Sequence, residues 1–163
     1  YAKYLLTYER TGIAGVGFGI SAMAKLNVIA AKVMKNGKPL DQDPLFAARM
    51  AQVEIDLENM KTTNLRVIAA VAHGSVPGAE SSMLKIRGTE IRQEILSLIR
   101  RAMGPYALPF IEAAQYEGYA DAPVGPKEAA TAAANYFNYR KLSIFGGSNE
   151  IQKNIISKMI LGL

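Results

Sequence analysis

Cysteine and tryptophan are absent from the 163 residues, and histidine occurs once. Without cysteine there is no disulfide, no thiolate nucleophile and no Cys-ligated metal, a pattern compatible with a reducing compartment. The single histidine, His73, has Ala70 three residues before it. That removes a ferritin-like di-iron site, which needs Glu-x-x-His motifs. It also leaves no convincing Ser-His-Asp set, and no nucleophile elbow accompanies one. Long apolar runs are missing too. The longest uncharged stretch, residues 11–24, is rich in glycine and falls short of the roughly 20 residues a membrane helix needs. No stretch has a signal-peptide pattern. The chain begins at Tyr1, inside a helical pattern. A fragment of a longer protein is therefore expected, with any targeting information upstream, and a cytoplasmic location is the working expectation.

What is present reads as one soluble globular domain. Half of the residues are apolar and a fifth are charged, and the length suffices for a sizeable core. The formal charge is +5. Lys85, Arg87, Arg92, Arg100 and Arg101 supply a basic segment, but Glu80, Glu90 and Glu94 are interleaved with it. No aromatic residues alternate with these bases as a stacking platform requires, so nucleic acid is not the expected partner.

The periodicity is helical almost throughout. Residues from about 2 to 35 read as one long helix, broken by Asn36-Gly37-Lys38-Pro39. Asp43-Pro44 then provides an N-cap and a first-turn proline. Phe46, Met50, Val53, Leu57, Met60, Val67 and Val71 keep helical spacing, which predicts a second long amphipathic helix ending near His73-Gly74. After a break at Pro77-Gly78, the stripe Leu84, Ile91, Ile95, Leu98 and Ile99 marks a third helix that ends near Met103-Gly104-Pro105. The stretch to Pro126 is largely irregular. A fourth helix is expected from about 127 to 144, and a final short one from 148 to about 161. Strands are nearly absent and there is no internal repeat. The expected class is all-α: an antiparallel four-helix bundle with an additional short C-terminal helix, as one domain over residues 1–163.

Several tempting features reduce to packing or solvation. Glu54 and Glu58 share a helix face and read as a solvated acidic stripe. His73 falls at a helix end, where terminal carbonyls are its natural partners. Gly12, Gly15, Gly17 and Gly19 lack both a preceding strand and G-x-G-x-x-G spacing. Gly12, Gly15 and Gly19 instead share a helical face that lets a neighbouring helix approach closely.

The two ends of the chain are more specific. A Gly-Gly-Ser turn opening a helix can present backbone N–H groups to an anion. Here it lies within Ile144-Phe145-Gly146-Gly147-Ser148-Asn149-Glu150-Ile151-Gln152-Lys153-Asn154-Ile155-Ile156, running on to Ile160-Leu161-Gly162-Leu163. The opening segment is Tyr4-Leu5-Leu6-Thr7-Tyr8-Glu9-Arg10-Thr11-Gly12-Ile13-Ala14-Gly15. Together, in this order and at this separation, they resemble the two ends of the C-terminal helical domain of the FAD-dependent acyl-CoA dehydrogenases.

The resemblance implies an oxidoreductase of lipid metabolism, of the fatty acid beta-oxidation type. In such enzymes a carboxylate removes the α-proton of an acyl-CoA thioester while the β-hydride passes to the flavin. Family members carry that glutamate at one of two positions. One is matched here by Gly146, so that version is missing; the other, immediately before an arginine, is matched by Glu9. Glu9 is thus the implied catalytic base and Arg10 an implied substrate contact. Gly146, Gly147, Ser148 and Glu150 are the implied cofactor-binding residues. The resemblance also implies absent N-terminal helical and middle β domains, assembly into dimers or tetramers, homomeric or heteromeric, and an electron-transfer flavoprotein as acceptor. Val33 and Asn36 depart from the family, which has an arginine and a phenylalanine there to grip the FAD of an adjacent subunit. Gln115-Tyr116-Glu117-Gly118-Tyr119 is only an incomplete version of the family's Gln-x-x-Gly-Gly segment. Two other readings stand beside this one: a non-catalytic assembly subunit of a hetero-oligomeric dehydrogenase, and a helical interaction module unrelated to flavin.

Overall fold

The computed structural model describes residues 12, 14–121 and 124–162. Within these the chain is all-α apart from one minute hairpin. Helix α1 spans Val16–Lys32, and strands β1, Met34–Lys35, and β2, Lys38–Pro39, follow it. A 3-10 turn, Leu40–Gln42, leads into α2, Pro44–Ala72, and then α3, Ala79–Met103. Two more 3-10 turns, Gly104–Ala107 and Glu112–Gln115, lie in the expected irregular stretch before α4, Ala129–Asn138. A last 3-10 turn, Tyr139–Ser143, precedes α5, Asn149–Leu161. Among the described residues no helix is long and apolar enough to cross a membrane.

Burial identifies α3 as the axis of the molecule. Fifteen of its 25 residues are buried, a far wider face than one stripe, and it contacts each of the other four helices. All five residues of its expected stripe lie in the core, with Ile95 and Leu98 at 0% exposure. Each such side chain contributes about 1.5–3 kcal/mol when taken from water. By contrast, α2 is 29 residues long yet buries only Met50, Val53, Leu57 and Met60, a single seam at intervals of three and four. Phe46, Val67 and Val71, expected on that seam, are half-buried at its two ends.

The entrances and exits follow side-chain chemistry. Asp43 caps α2 by accepting a hydrogen bond from the Phe46 N–H at 3.0 Å, with Pro44 in the first turn. At the far end the His73 backbone N–H donates to the carbonyls of Ala69 and Ala70 and the Gly74 N–H to that of Val71, while the His73 side chain is exposed. Glu54 and Glu58 are exposed as expected. Ser148 caps α5 through the Ile151 N–H, 3.3 Å away.

Three expectations need correction. The first helix does not run unbroken from residue 2 to 35: Gly15 adopts a left-handed conformation, φ 63°, immediately before Val16. That conformation ends one helical path and re-aims the next. Gly15 therefore does not share a helical face with Gly12 and Gly19. A Cβ on Gly19 would come within 2.9 Å of Leu57 Cδ1, the expected close approach, whereas one on Gly12 would meet nothing. The glycine that matters most for close approach is Gly88 on α3, where a Cβ would collide with the Ala14 carbonyl oxygen. Second, Asn36-Gly37, at φ 53° and 77°, do more than break a helix: they turn a two-residue hairpin with Met34 opposite Pro39 and Lys35 opposite Lys38. Third, the fourth helix tightens to 3-10 geometry after Asn138 instead of continuing to 144. Side chains of α3 take over its carbonyls. Gln93 donates to both Tyr139 O and Arg140 O at 3.2 Å, and Arg140 donates back to Gln93 O at 3.1 Å.

Candidate functional site

The Gly88–Ala14 contact seats the start of the described chain on α3, and a cleft of about 490 Å³ opens beside it. Gly12, Gly15, Lys85, Gly88, Arg92 and Gly146 are among its lining residues. One turn of α3 separates Lys85 from Gly88, and another separates Gly88 from Arg92, so the three project to one face. The turn that carries Gly146 closes the cleft from the C-terminal side.

Arg92 forms a wall. Its guanidinium lies 4.9 Å from the centre of the Phe18 ring and 5.1 Å from that of Tyr139, a cation held between two π faces. Burial lowers its pKa from the usual arginine range, opposed by Tyr139, yet arginine remains charged. A second cleft, of about 230 Å³, lies on the other side of the same three residues. Exposed Phe18 and Phe145 give the first cleft an aromatic rim.

Lys85 is the second cation. It is 2% exposed, and its Nζ donates to Asn149 Oδ1 at 2.9 Å. Burial lowers its pKa, partly opposed by the Glu150 carboxylate. Glu150 is in turn held below the usual glutamate range by its own backbone N–H and by the Ser148 hydroxyl.

Of the expected site residues, Gly146, Gly147, Ser148 and Glu150 come together at the entrance of α5. Gly146 and Gly147 adopt φ 69° and 82°. Gln152, one turn into α5, is buried and donates to Gly146 O at 3.1 Å. Its Oε1 is buried and has no hydrogen-bond partner among the described residues. Glu9 and Arg10 lie outside the described residues. Lys85, Gly88, Arg92 and Gln152 were not singled out as site residues in the sequence. The spacing of Lys85, Gly88 and Arg92, three and four residues apart on one face of a helix, was the available signal. Among the described residues no group of three or more acidic or histidine side chains is placed to hold a metal.

The residues present fit a flavin nucleotide at this cleft. A glycine turn permits close approach, a helix N-terminus, buried Lys85 and half-buried Arg92 favour anionic groups, and an aromatic rim suits a flat ring. The orphaned Gln152 oxygen supplies an unused acceptor beside the turn.

Comparison with known proteins gives a consistent picture. The family model described as "Acyl-CoA dehydrogenase, C-terminal domain" matches residues 1–161. No curated protein matches the chain. Among solved structures, glutaryl-coenzyme A dehydrogenase in complex with glutaryl-CoA superposes with a TM-score of 0.75 at 19% identity, over 96% of this chain and 36% of that one. Butyryl-CoA dehydrogenase from Megasphaera elsdenii gives 0.72 at 17% identity, over 96% and 37%. A chain of the ChsE4–ChsE5 complex from Mycobacterium tuberculosis gives 0.68 at 21% identity, over 89% and 35%. The shared property is the fold, and this chain spans little more than a third of the length of these solved proteins.

Proposed function

The chain belongs to the acyl-CoA dehydrogenase family, and from that premise we propose that it is the C-terminal helical domain of an FAD-dependent enzyme that desaturates an acyl-CoA thioester between Cα and Cβ. The observation that carries the reading is the convergence on one cleft of the Gly146 turn, the two cations of α3, and Gly12. Glu9 precedes Gly12 by three residues, and three residues of chain reach at most about 11 Å. The carboxylate is therefore tethered within reach of the cleft.

In this reading Gly146, Gly147, Ser148 and Glu150 contact the FAD, which when bound supplies the hydride acceptor. Glu9 takes the α-proton. A thioester α-proton is weakly acidic, so the base must be more basic than a solvated glutamate, and covering the carboxylate with acyl chain and cofactor raises its pKa. Arg10 orients the substrate. Preorganised donors to the thioester oxygen stabilise the negative charge that develops there. The segments α1 to α4 form an antiparallel four-helix bundle to which α5 is added. Exposed apolar residues such as Leu45, Ile55, Leu65 and Ile68 on α2 are its surface for oligomerisation, and an electron-transfer flavoprotein is the proposed acceptor. A role in fatty acid beta-oxidation, in the cytoplasm, completes the proposal.

A second reading, a non-catalytic subunit of a hetero-oligomeric dehydrogenase, draws support from the hairpin. The departure at residue 36 places an asparagine in a tight exposed turn, and Val33 is the half-buried cap of α1. Neither offers the cation or the ring that relatives direct at a neighbouring flavin.

The deciding experiment mixes the full-length protein anaerobically with a panel of acyl-CoA thioesters. Bleaching of the flavin band, abolished by Glu9→Gln with flavin retained, is the expected result. A protein that binds flavin but is reduced by no thioester favours the assembly reading.

A further inference from the structure

Lysine is among the residues least often fully buried, because its ammonium loses hydration that a partner must replace. Lys85 is nevertheless among the largest fully buried side chains. Its partner is a neutral amide, Asn149 Oδ1 at 2.9 Å. Among the described residues it makes no ion pair.

The position of that amide gives the contact its meaning. Asn149 is the first residue of α5, directly after Gly146-Gly147-Ser148. Two successive glycines at positive φ fix no direction by their own covalent chemistry. The turn must be held from outside. Thr89 Oγ lies 3.2 Å from the Leu142 carbonyl oxygen on the near side, and Gln152 holds the Gly146 carbonyl from within α5. Of these links, the Lys85–Asn149 hydrogen bond ties the entrance of α5 directly to α3, across 64 residues of sequence.

We propose that Lys85 is a positioning residue: acting through Asn149, it fixes the first turn of α5 and the Gly146-Gly147-Ser148 turn in the orientation that faces the flavin. The proposal rests on the FAD reading above. An apolar side chain of the same reach would fill the space, but it would give Asn149 Oδ1 no donor.

The test uses the full-length flavoprotein. Lys85→Met keeps the stem and removes the ammonium. Asn149→Leu removes the acceptor, and Asn149→Asp keeps one. Lys61→Met, at an exposed pair with Glu58, is the control. The readouts are the FAD dissociation constant and amide hydrogen exchange over residues 144–152. Lys85→Met and Asn149→Leu should each weaken FAD binding about tenfold and speed exchange in that window, as expected for loss of a charged hydrogen bond. The double variant should be no worse than the weaker single, and Asn149→Asp should retain affinity. Additive losses, or faster exchange spread over the whole chain with FAD affinity unchanged, would overturn the proposal. A wild-type protein that binds no flavin removes the FAD reading itself, and unchanged exchange at 144–152 in the variants then overturns the positioning role separately.

Discussion

Asp43 stands at the entrance of α2 with two partners, the Lys35 ammonium at 2.7 Å and the Phe46 N–H. The lysine hydrogen bond first, and the backbone N–H second, hold its carboxyl below the usual aspartate range. A folded pKa below the unfolded one means stability that is present above the unfolded value, near 3.9, and lost as pH falls through the folded value. Denaturant midpoints for wild type and Asp43→Ala should therefore differ at pH 7 and converge toward pH 2. A difference that persists undiminished at pH 2 would show that the charge is irrelevant. The cap was legible in Asp43-Pro44, but Lys35 was not, because the hairpin that returns it to Asp43 was read only as a break. Lys85 was hidden for another reason. Its neighbours Arg87 and Arg92 made it look like part of a basic segment, and only the fold shows that Lys85 lies on the buried side of α3 while Arg87 and Glu90 face solvent.

Helices were legible where one face is apolar and the ends carry proline, glycine or a capping oxygen. The extents of α2, α3 and α5 follow that rule. The misjudged elements are those in which tertiary contacts override local pattern. Gly15 re-aims the chain because Gly88 admits the Ala14 backbone, a coincidence 74 positions apart that periodicity cannot register. The last turn of the fourth helix yields its carbonyls to Gln93 on α3. The same centrality gives α3 and α2 different tolerance to truncation. Leu98→Ala, at 0% exposure in α3, should cost about 3 kcal/mol in equilibrium unfolding. Ile55→Ala, on the open face of α2, should stay within about 0.5 kcal/mol for the monomer. Equal losses would mean that the outer face of α2 is as tightly packed as the axis.

Taken whole, the chain matches a family whose solved members are nearly three times its length. Here α3, the turn at Gly146 and the approach through Gly12 line the cleft, and in the proposed reading N-terminal helical and middle β domains are needed to enclose the flavin. Residues 1–163 produced alone should therefore hold no stoichiometric FAD and show no turnover. Flavin absorbance that co-elutes at one equivalent with this stretch would refute that. Of the residues that the two terminal motifs nominate, Gly146, Gly147, Ser148 and Glu150 gather at the entrance of α5, and Glu9 and Arg10 lie outside the described residues. The share of α3 was not legible, because it comes through depth and not through any motif. That depth also imposes a schedule on synthesis. When α1 and α2 emerge from the ribosome, the helix that both must pack on has not been made. Lys85 then waits for Asn149, 64 residues behind it, which at about 5–20 residues per second is roughly 3 to 13 seconds. The turn at Gly146 is thus delivered only after the helix it is tied to, and a nascent chain interrupted before it leaves a charged side chain in a half-built core.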